Sequence, residues 1–278
     1  MTSTPQVLAH GAAIPAIGLG TYDLRGADGV RAVAYALQHG YRHLDTAPIY
    51  ENEAAVGEGL RASGVERDAV FVTTKVWRDE LAHKALLASA DASLKRLGLA
   101  YVDLLLIHWP NAAIPLGETL AALAEVKRRG LTRHIGVSNF PAAMLEQAVD
   151  LCEEPIAVNQ CEYHPRLDQT KLIAACRALG VAFVSYAPLA HAELMGDPVI
   201  TRIAAAHGKK PGQAILRWHV QQPGVVAIPK SGREQNIRDN LDVFGFTLTA
   251  QDMQDISALR RKDGRIINPG WAPAWDKP

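Results

Sequence analysis

Eight short apolar runs recur along the chain, and a helix-period run follows each. Residues 17–20, 43–45, 70–75, 102–107, 134–137, 157–161, 182–186 and 225–228 read as strands. Residues 30–39, 51–62, 82–97, 116–129, 142–151, 171–179, 199–207 and 213–220 read as the intervening helices, and 236–243 and 249–259 follow the last strand. In the first helix Val30, Val33, Ala34 and Leu37 fall on one face. Gly40, Gly98, Gly130 and Gly180 close four helices, and Thr249 is placed to cap another. Most strands are apolar throughout, as strands covered on both faces must be. Strict alternation predicts an α/β fold, a (β/α)8 TIM barrel, rather than an open doubly wound sheet. Residues 6–8 and 13–14 flank His10-Gly11 and predict a hairpin ahead of the barrel. The tail from Lys262 carries Pro269, Trp271, Pro273 and Trp275 and is expected to be irregular. No linker or internal repeat divides the 278 residues, so one domain over 1–278 is expected.

Lys+Arg and Asp+Glu balance at 29 each, which leaves no net field to attract nucleic acid or an anionic membrane. Any anionic ligand must be met by local charges. Cys152, Cys161 and Cys176 are too few and too irregular for a disulfide framework and read as small buried side chains. Residues 1–10 lack the pattern of a secretory signal, and no apolar run approaches the ~20 residues that span a bilayer. A cytoplasmic, reducing setting is expected.

In a barrel of this kind chemistry gathers at the carboxyl ends of the strands. Those ends carry Gly20-Thr21-Tyr22, Asp45 with Tyr50, Lys75-Val76-Trp77, His108-Trp109-Pro110, Ser138-Asn139-Phe140, Gln160-Cys161-Glu162, Tyr186-Ala187-Pro188 and Lys230-Ser231. Asp, Tyr, Lys and His converging on one face suit proton transfer more than a structural ion pair. A free phenol, with pKa ~10, is a poor acid near neutrality. Lys75 beside it is expected to draw Tyr50 down toward about 7–8, which takes about 3–4 kcal/mol of differential interaction. Asp45 would keep Lys75 charged, and His108 would orient a carbonyl oxygen.

Three stretches carry a resemblance. Residues 40–53 (GYRHLDTAPIYENE), 97–110 (LGLAYVDLLLIHWP) and 228–240, opening Ile228-Pro229-Lys230-Ser231, are similar in order and content to the three signatures of the aldo-keto reductases. The similarity runs from about Ile14 to the tail. It implies a barrel that binds NADPH without a Rossmann fold and a catalytic tetrad of Asp45, Tyr50, Lys75 and His108, with Tyr50 as proton donor. A His at position 108 implies carbonyl reduction; Glu there would imply reduction of a conjugated double bond. The resemblance also implies a monomer.

Cofactor positions carry over residue by residue. Ser138, Asn139 and Gln160 match the holders of the nicotinamide carboxamide, and Tyr186 the ring that stacks on it. Gly20, Thr21, Tyr22 and Asp45 border the same place. Pro188 and Leu189 lie in the loop over the pyrophosphate. Lys230 and Ser231 match the pocket for the 2′-phosphate, where a cation and a hydroxyl suit a dianion. Asp239 and Asn240 match adenine contacts. The family's usual Arg is Asn236 here, and Arg233 is the candidate substitute.

Other motifs fail on context. Gly57-Glu58-Gly59-Leu60-Arg61-Ala62 fits the dinucleotide pattern but lies inside a helical run rather than at a strand-to-helix turn. No metal-ligand spacing occurs, and Phe140 spoils a G-x-S-x-G elbow at 136–140. Tyr22, Trp77, Trp109 and Trp271, with His108, are the expected substrate walls. The short connection from Pro110 to Gly117 and the short tail imply a more open pocket than in the larger steroid-reducing members of the family. Asp263-Gly264-Arg265, Pro269 and Ala272-Pro273-Ala274-Trp275-Asp276 most resemble the bacterial 2,5-diketo-D-gluconate reductases within it, which also reduce methylglyoxal. Two alternatives stay open at this stage: a Schiff-base lyase using Lys75, and a nucleotide-sensing barrel without turnover.

Overall fold

The computed structural model describes residues 4–277. A hairpin of β1 (Gln6–Ala9) and β2 (Ala12–Pro15) comes first, with Gln6 opposite Pro15. Eight strands then form one parallel sheet: β3 (Leu19–Gly20), β4 (His43–Asp45), β5 (Phe71–Val76), β6 (Val102–Ile107), β7 (Thr132–Ser138), β8 (Ile156–Glu162), β9 (Ala182–Tyr186) and β10 (Val225–Ala227). They pair in chain order. The sheet curls until its edges meet, through parallel bridges of Ile17 with Ala227 and Gly20 with Lys230. That arrangement is consistent with the expected (β/α)8 fold.

The helices are α1 (Gly26–Gln38), α2 (Glu53–Ser63), α3 (His83–Leu97), α4 (Leu116–Arg128), α5 (Ala142–Leu151), α6 (Thr170–Ala178), α7 (Pro198–Ala206), α8 (Pro211–Val220), α9 (Glu234–Leu241) and α10 (Ala250–Ser257). Alternate residues of a strand serve opposite faces. Leu105 and Ile107 of β6 join the large cluster between sheet and helices. Leu104 and Leu106 point the other way, into an inner cluster with Val158, Val184, Val226 and Ile228. Ala12 and Ile14 of the hairpin belong to that inner cluster and plug its amino end.

Most expected boundaries agree within two residues. The first helix differs. It starts at Gly26, and its buried stripe is Gly29, Ala32, Val33, Ala36 and Leu37. Val30 and Ala34, expected on the core face, are only half-buried. The second helix also differs: residues 48–50 form a 3₁₀ turn, Glu51 is left-handed at φ 54°, and α2 opens only at Glu53. Thr249 caps α10 by accepting from the Asp252 N–H. No helix or strand follows Ser257 among the described residues.

The false dinucleotide motif has a packing explanation. A Cβ on Gly57 would lie 1.9 Å from the carbonyl oxygen of Leu97 at the end of α3. One on Gly59 would lie 2.7 Å from Cβ of Val33 on α1. The two glycines let α2 approach both neighbouring helices.

Candidate active site

Tyr50 is placed by the turn between β4 and α2. Pro48 fits the first position of a 3₁₀ turn, where its missing N–H costs nothing. Glu51 then reverses the chain. Asn52 staples the turn to the neighbouring loop. Its Nδ2 donates to the carbonyls of Thr21 (2.7 Å) and Leu24 (3.0 Å), and its Oδ1 accepts from Thr46 Oγ1 at 2.7 Å. Glu53 is buried and accepts from Thr74 Oγ1 (2.6 Å) and Arg96 Nε (2.7 Å). Sequence reasoning quoted Asn52 and Glu53 and gave them no role. The available signal was two polar residues between a turn proline and an apolar helical face.

Asp45, Tyr50, Lys75 and His108 come together at the carboxyl edge of β4, β5 and β6. Lys75 is wholly buried. Its Nζ donates to Asp45 Oδ1 at 2.5 Å, to the Thr46 carbonyl at 2.9 Å and to Tyr50 Oη at 3.4 Å. The other Asp45 oxygen accepts from Gln160 Nε2 at 2.7 Å. The His108 ring lies edge-on to Tyr50, with centroids 5.7 Å apart. Its Nδ1 is buried with no protein partner among the described residues.

The electrostatics correct one expectation. Burial raises the ordinary pKa of Tyr50, and Lys75 only partly opposes it. The phenol is therefore held protonated, not drawn toward neutrality. A polar neighbour stabilises phenolate, but desolvation of a charge inside protein outweighs it here. Burial also tends to lower Lys75, but Asp45 and Tyr50 outweigh it and raise its pKa, so the ammonium is kept. Burial, then Lys75, push His108 well below the ordinary histidine value, so its imidazole is neutral.

The other strand ends form a polar floor. Ser138 Oγ donates to the Gln160 carbonyl at 2.7 Å. Asn139, left-handed at φ 64°, donates from Nδ2 to the His108 carbonyl (2.9 Å) and accepts at Oδ1 from Tyr186 Oη (2.8 Å). Thr21 Oγ1 donates to the Asp45 carbonyl at 2.9 Å, and Gly20 lies in the bridge to Lys230. Pro188 accepts from buried His219 at 3.2 Å, and Leu189 precedes a 3₁₀ turn. Lys230 faces Asp23 at 3.8 Å, and Ser231 Oγ accepts from the Arg233 N–H at 3.1 Å. Asn236 and Asn240 lie on α9. Asp239 is taken up by Lys210 (2.5 Å) and Gln235 (2.9 Å).

Four aromatics gather at this edge, Trp109 buried beneath Trp271. Tyr22 meets Tyr50 edge-on at 5.3 Å and is 63% exposed. Trp77 meets His108 at 5.2 Å, and Trp271 meets Trp77 at 5.9 Å and Trp109 at 5.1 Å. A separate cavity of about 540 Å³ lies at the amino end of the strands, lined by Arg42, Phe71, Asp103, Arg133 and His134 among others. It is remote from the tetrad, and Arg133 there is already paired with Asp68 and Asp103. No cluster of three or more potential metal ligands occurs among the described residues. All three cysteines are free; Cys161 and Cys176 are buried and Cys152 partly so. No helix among the described residues is long and apolar enough to cross a membrane.

A curled parallel sheet with its buried polar centre at the strands' carboxyl edge defines a barrel-type enzyme. The aldo/keto reductase family matches residues 16–261, and the chain belongs to that family of oxidoreductases. The methylglyoxal reductase DkgB of Salmonella typhimurium is 43% identical, over 95% of this chain and 99% of that one. A crystal structure provisionally described as a 2,5-diketo-D-gluconic acid reductase B is 46% identical with a TM-score of 0.97, covering 99% of this chain and 98% of its own. The Bombyx mori aldo-keto reductase, crystallised with NADP, is 34% identical with a TM-score of 0.89, covering 97% and 96%.

Proposed function

We propose that this protein reduces small aldehydes and ketones with NADPH. The observation that carries the reading is the buried Lys75 ammonium placed between Asp45 (2.5 Å) and Tyr50 (3.4 Å). The domain is read as one (β/α)8 barrel over the whole chain, acting as a monomer. Small α-keto aldehydes such as methylglyoxal, and 2,5-diketo sugar acids, are the substrate class supported by the relatives.

The polar floor fits a nicotinamide. Gln160 donates from Nε2 to Asp45 at 2.7 Å, which leaves its Oε1 as the acceptor end of the same amide. That oxygen can accept from a carboxamide N–H, and Tyr186 is only partly buried beside it. Ser138, Asn139, Gln160 and Tyr186 would hold this end of the cofactor. Lys230, Ser231 and Arg233 would meet the 2′-phosphate, and Asn240 the adenine. When bound, the cofactor supplies the hydride to the carbonyl carbon. Tyr50, protonated, gives its proton to the carbonyl oxygen. Lys75 stabilises the phenolate left behind, and Asp45 with the Thr46 carbonyl keeps Lys75 charged and aimed. Neutral His108 orients the oxygen through its imidazole N–H. A Lys75 held this firmly as an ammonium lacks the lone pair a Schiff base needs.

Consumption of NADPH with methylglyoxal, other α-keto aldehydes and 2,5-diketo-D-gluconate tests the proposal. Tyr50→Phe should lower kcat by roughly 10²- to 10⁴-fold, the worth of a placed general acid. Unchanged turnover in that variant overturns the mechanism. Tight NADPH binding with no turnover on any carbonyl would favour a sensing barrel instead.

A further inference from the structure

Glu162 lies two residues past Gln160, yet its carboxylate does not touch the tetrad. It is wholly buried. Its two oxygens accept from the backbone N–H groups of Ile266 (2.6 Å) and Ile267 (2.8 Å). His164 Nε2 lies 3.0 Å away and Arg265 Nη1 3.9 Å. A buried carboxylate needs partners of this strength, and here they come from the irregular tail. The tail has a second attachment. Asp276 accepts from the N–H of Ala142, the first residue of α5, at 2.9 Å, and lies 3.5 Å from Lys171 Nζ. The two limbs are also tied to each other. Trp275 Nε1 donates to Asn268 Oδ1 at 2.9 Å, and the Arg265 guanidinium lies 3.6 Å from the Trp275 ring centroid. Between the attachments, Trp271 rests on Trp77 and Trp109, with the Arg78 guanidinium 4.4 Å from its ring centroid.

We infer that Glu162 and Asp276 are positioning residues that set substrate size, by fixing residues 266–276 as a strap that holds Trp271 over the carbonyl site. This rests on the reductase reading above. The segment has no helix or strand to keep its shape, so side-chain anchors must do it. A carboxylate is required at position 162 because two successive N–H groups need an acceptor on each oxygen. An amide of the same shape offers only one. With an anchor released, Trp271 leaves the wall and bulkier carbonyl compounds gain room.

The test compares Glu162→Gln, Asp276→Asn, Trp271→Ala and the Glu162→Gln/Trp271→Ala double variant with wild type, on methylglyoxal and phenylglyoxal. In each single variant, phenylglyoxal should gain on methylglyoxal by roughly tenfold in kcat/KM, a typical worth of pocket shape. KM should carry most of the change. The double variant should match Trp271→Ala alone, since both act through one side chain. Trypsin acting on the NADPH complex should cut after Arg265 faster in Glu162→Gln than in wild type. Should Glu162→Gln be insoluble, Asp276→Asn carries the same expectations. A preference unchanged in the anchor variants while trypsin reports a loosened strap overturns the specificity role. Wild-type resistance to trypsin in the anchor variants overturns the anchoring itself. If even wild type reduces no carbonyl, the reductase reading fails, and the trypsin comparison still decides the strap.

Discussion

Gln160 donates from Nε2 to Asp45 Oδ2 at 2.7 Å, across 115 residues of chain. The same carboxylate takes Lys75 on its other oxygen. One buried anion therefore joins the amide floor at β8 to the ammonium and phenol at β4 and β5. In the proposed reaction this fixes the hydride end and the proton end of the site relative to each other.

Asp45→Asn should destabilise the protein by about 3–5 kcal/mol, because it leaves the Lys75 ammonium buried without its counter-charge. Equilibrium unfolding in urea measures this. Adding Lys75→Met should recover most of the stability and none of the turnover. Recovery of turnover in the double variant would show that the pair is structural only.

The directions of the pKa shifts give a pH profile. The acid in reduction must be protonated, and Tyr50 is held protonated past the ordinary phenol value of about 10. His108 is neutral down to well below its ordinary value of about 6.5. Carbonyl reduction should thus stay level from about pH 6.5 to about pH 9. A fall in kcat/KM centred at pH 7–8 would instead support a phenol pulled down by Lys75, the expectation drawn from sequence alone.

That expectation shows where sequence reading stops. Alternation of apolar and helix-period runs is a local property, so β4 through β10 and the strand-end residues were legible. The sign of the Tyr50 shift depends on how much protein surrounds its hydroxyl, and no spacing reports that. Asn52 and Glu53 were hidden for a related reason, since their partners Thr21, Leu24, Thr74 and Arg96 lie far away in the chain. Gly57 and Gly59 mimic a phosphate loop in sequence, and only the approach of α1 and α3 shows their purpose.

Asn52→Ala should test the staple beneath Tyr50. It removes three hydrogen bonds and leaves the Leu24 carbonyl and the Thr46 hydroxyl without their partner, while the Thr21 carbonyl keeps the Leu24 N–H at 2.9 Å. A loss of about 2–3 kcal/mol in unfolding free energy is expected from buried groups left unpaired. Activity should fall as well, because the turn that aims Tyr50 loosens. Full activity with reduced stability would restrict Asn52 to a folding role.

Cofactor choice should respond to Lys230 and its neighbour. Lys230 is partly exposed and faces Asp23 at 3.8 Å, so part of its charge is already offset before a phosphate arrives. Arg233 makes no ion pair among the described residues, which leaves it free to share the dianion in place of the Arg absent at Asn236. Lys230→Met should weaken NADPH by about tenfold and leave NADH nearly unchanged, since only NADPH carries the 2′-phosphate. Arg233→Ala should shift the preference in the same direction. Asp23→Asn should strengthen NADPH by about twofold, a gain in keeping with an exposed charge pair, and raised salt should erase it. Titration of both nucleotides by quenching of tryptophan fluorescence measures all three. Equal losses for NADPH and NADH in Lys230→Met would place the lysine on the pyrophosphate instead of the 2′-phosphate.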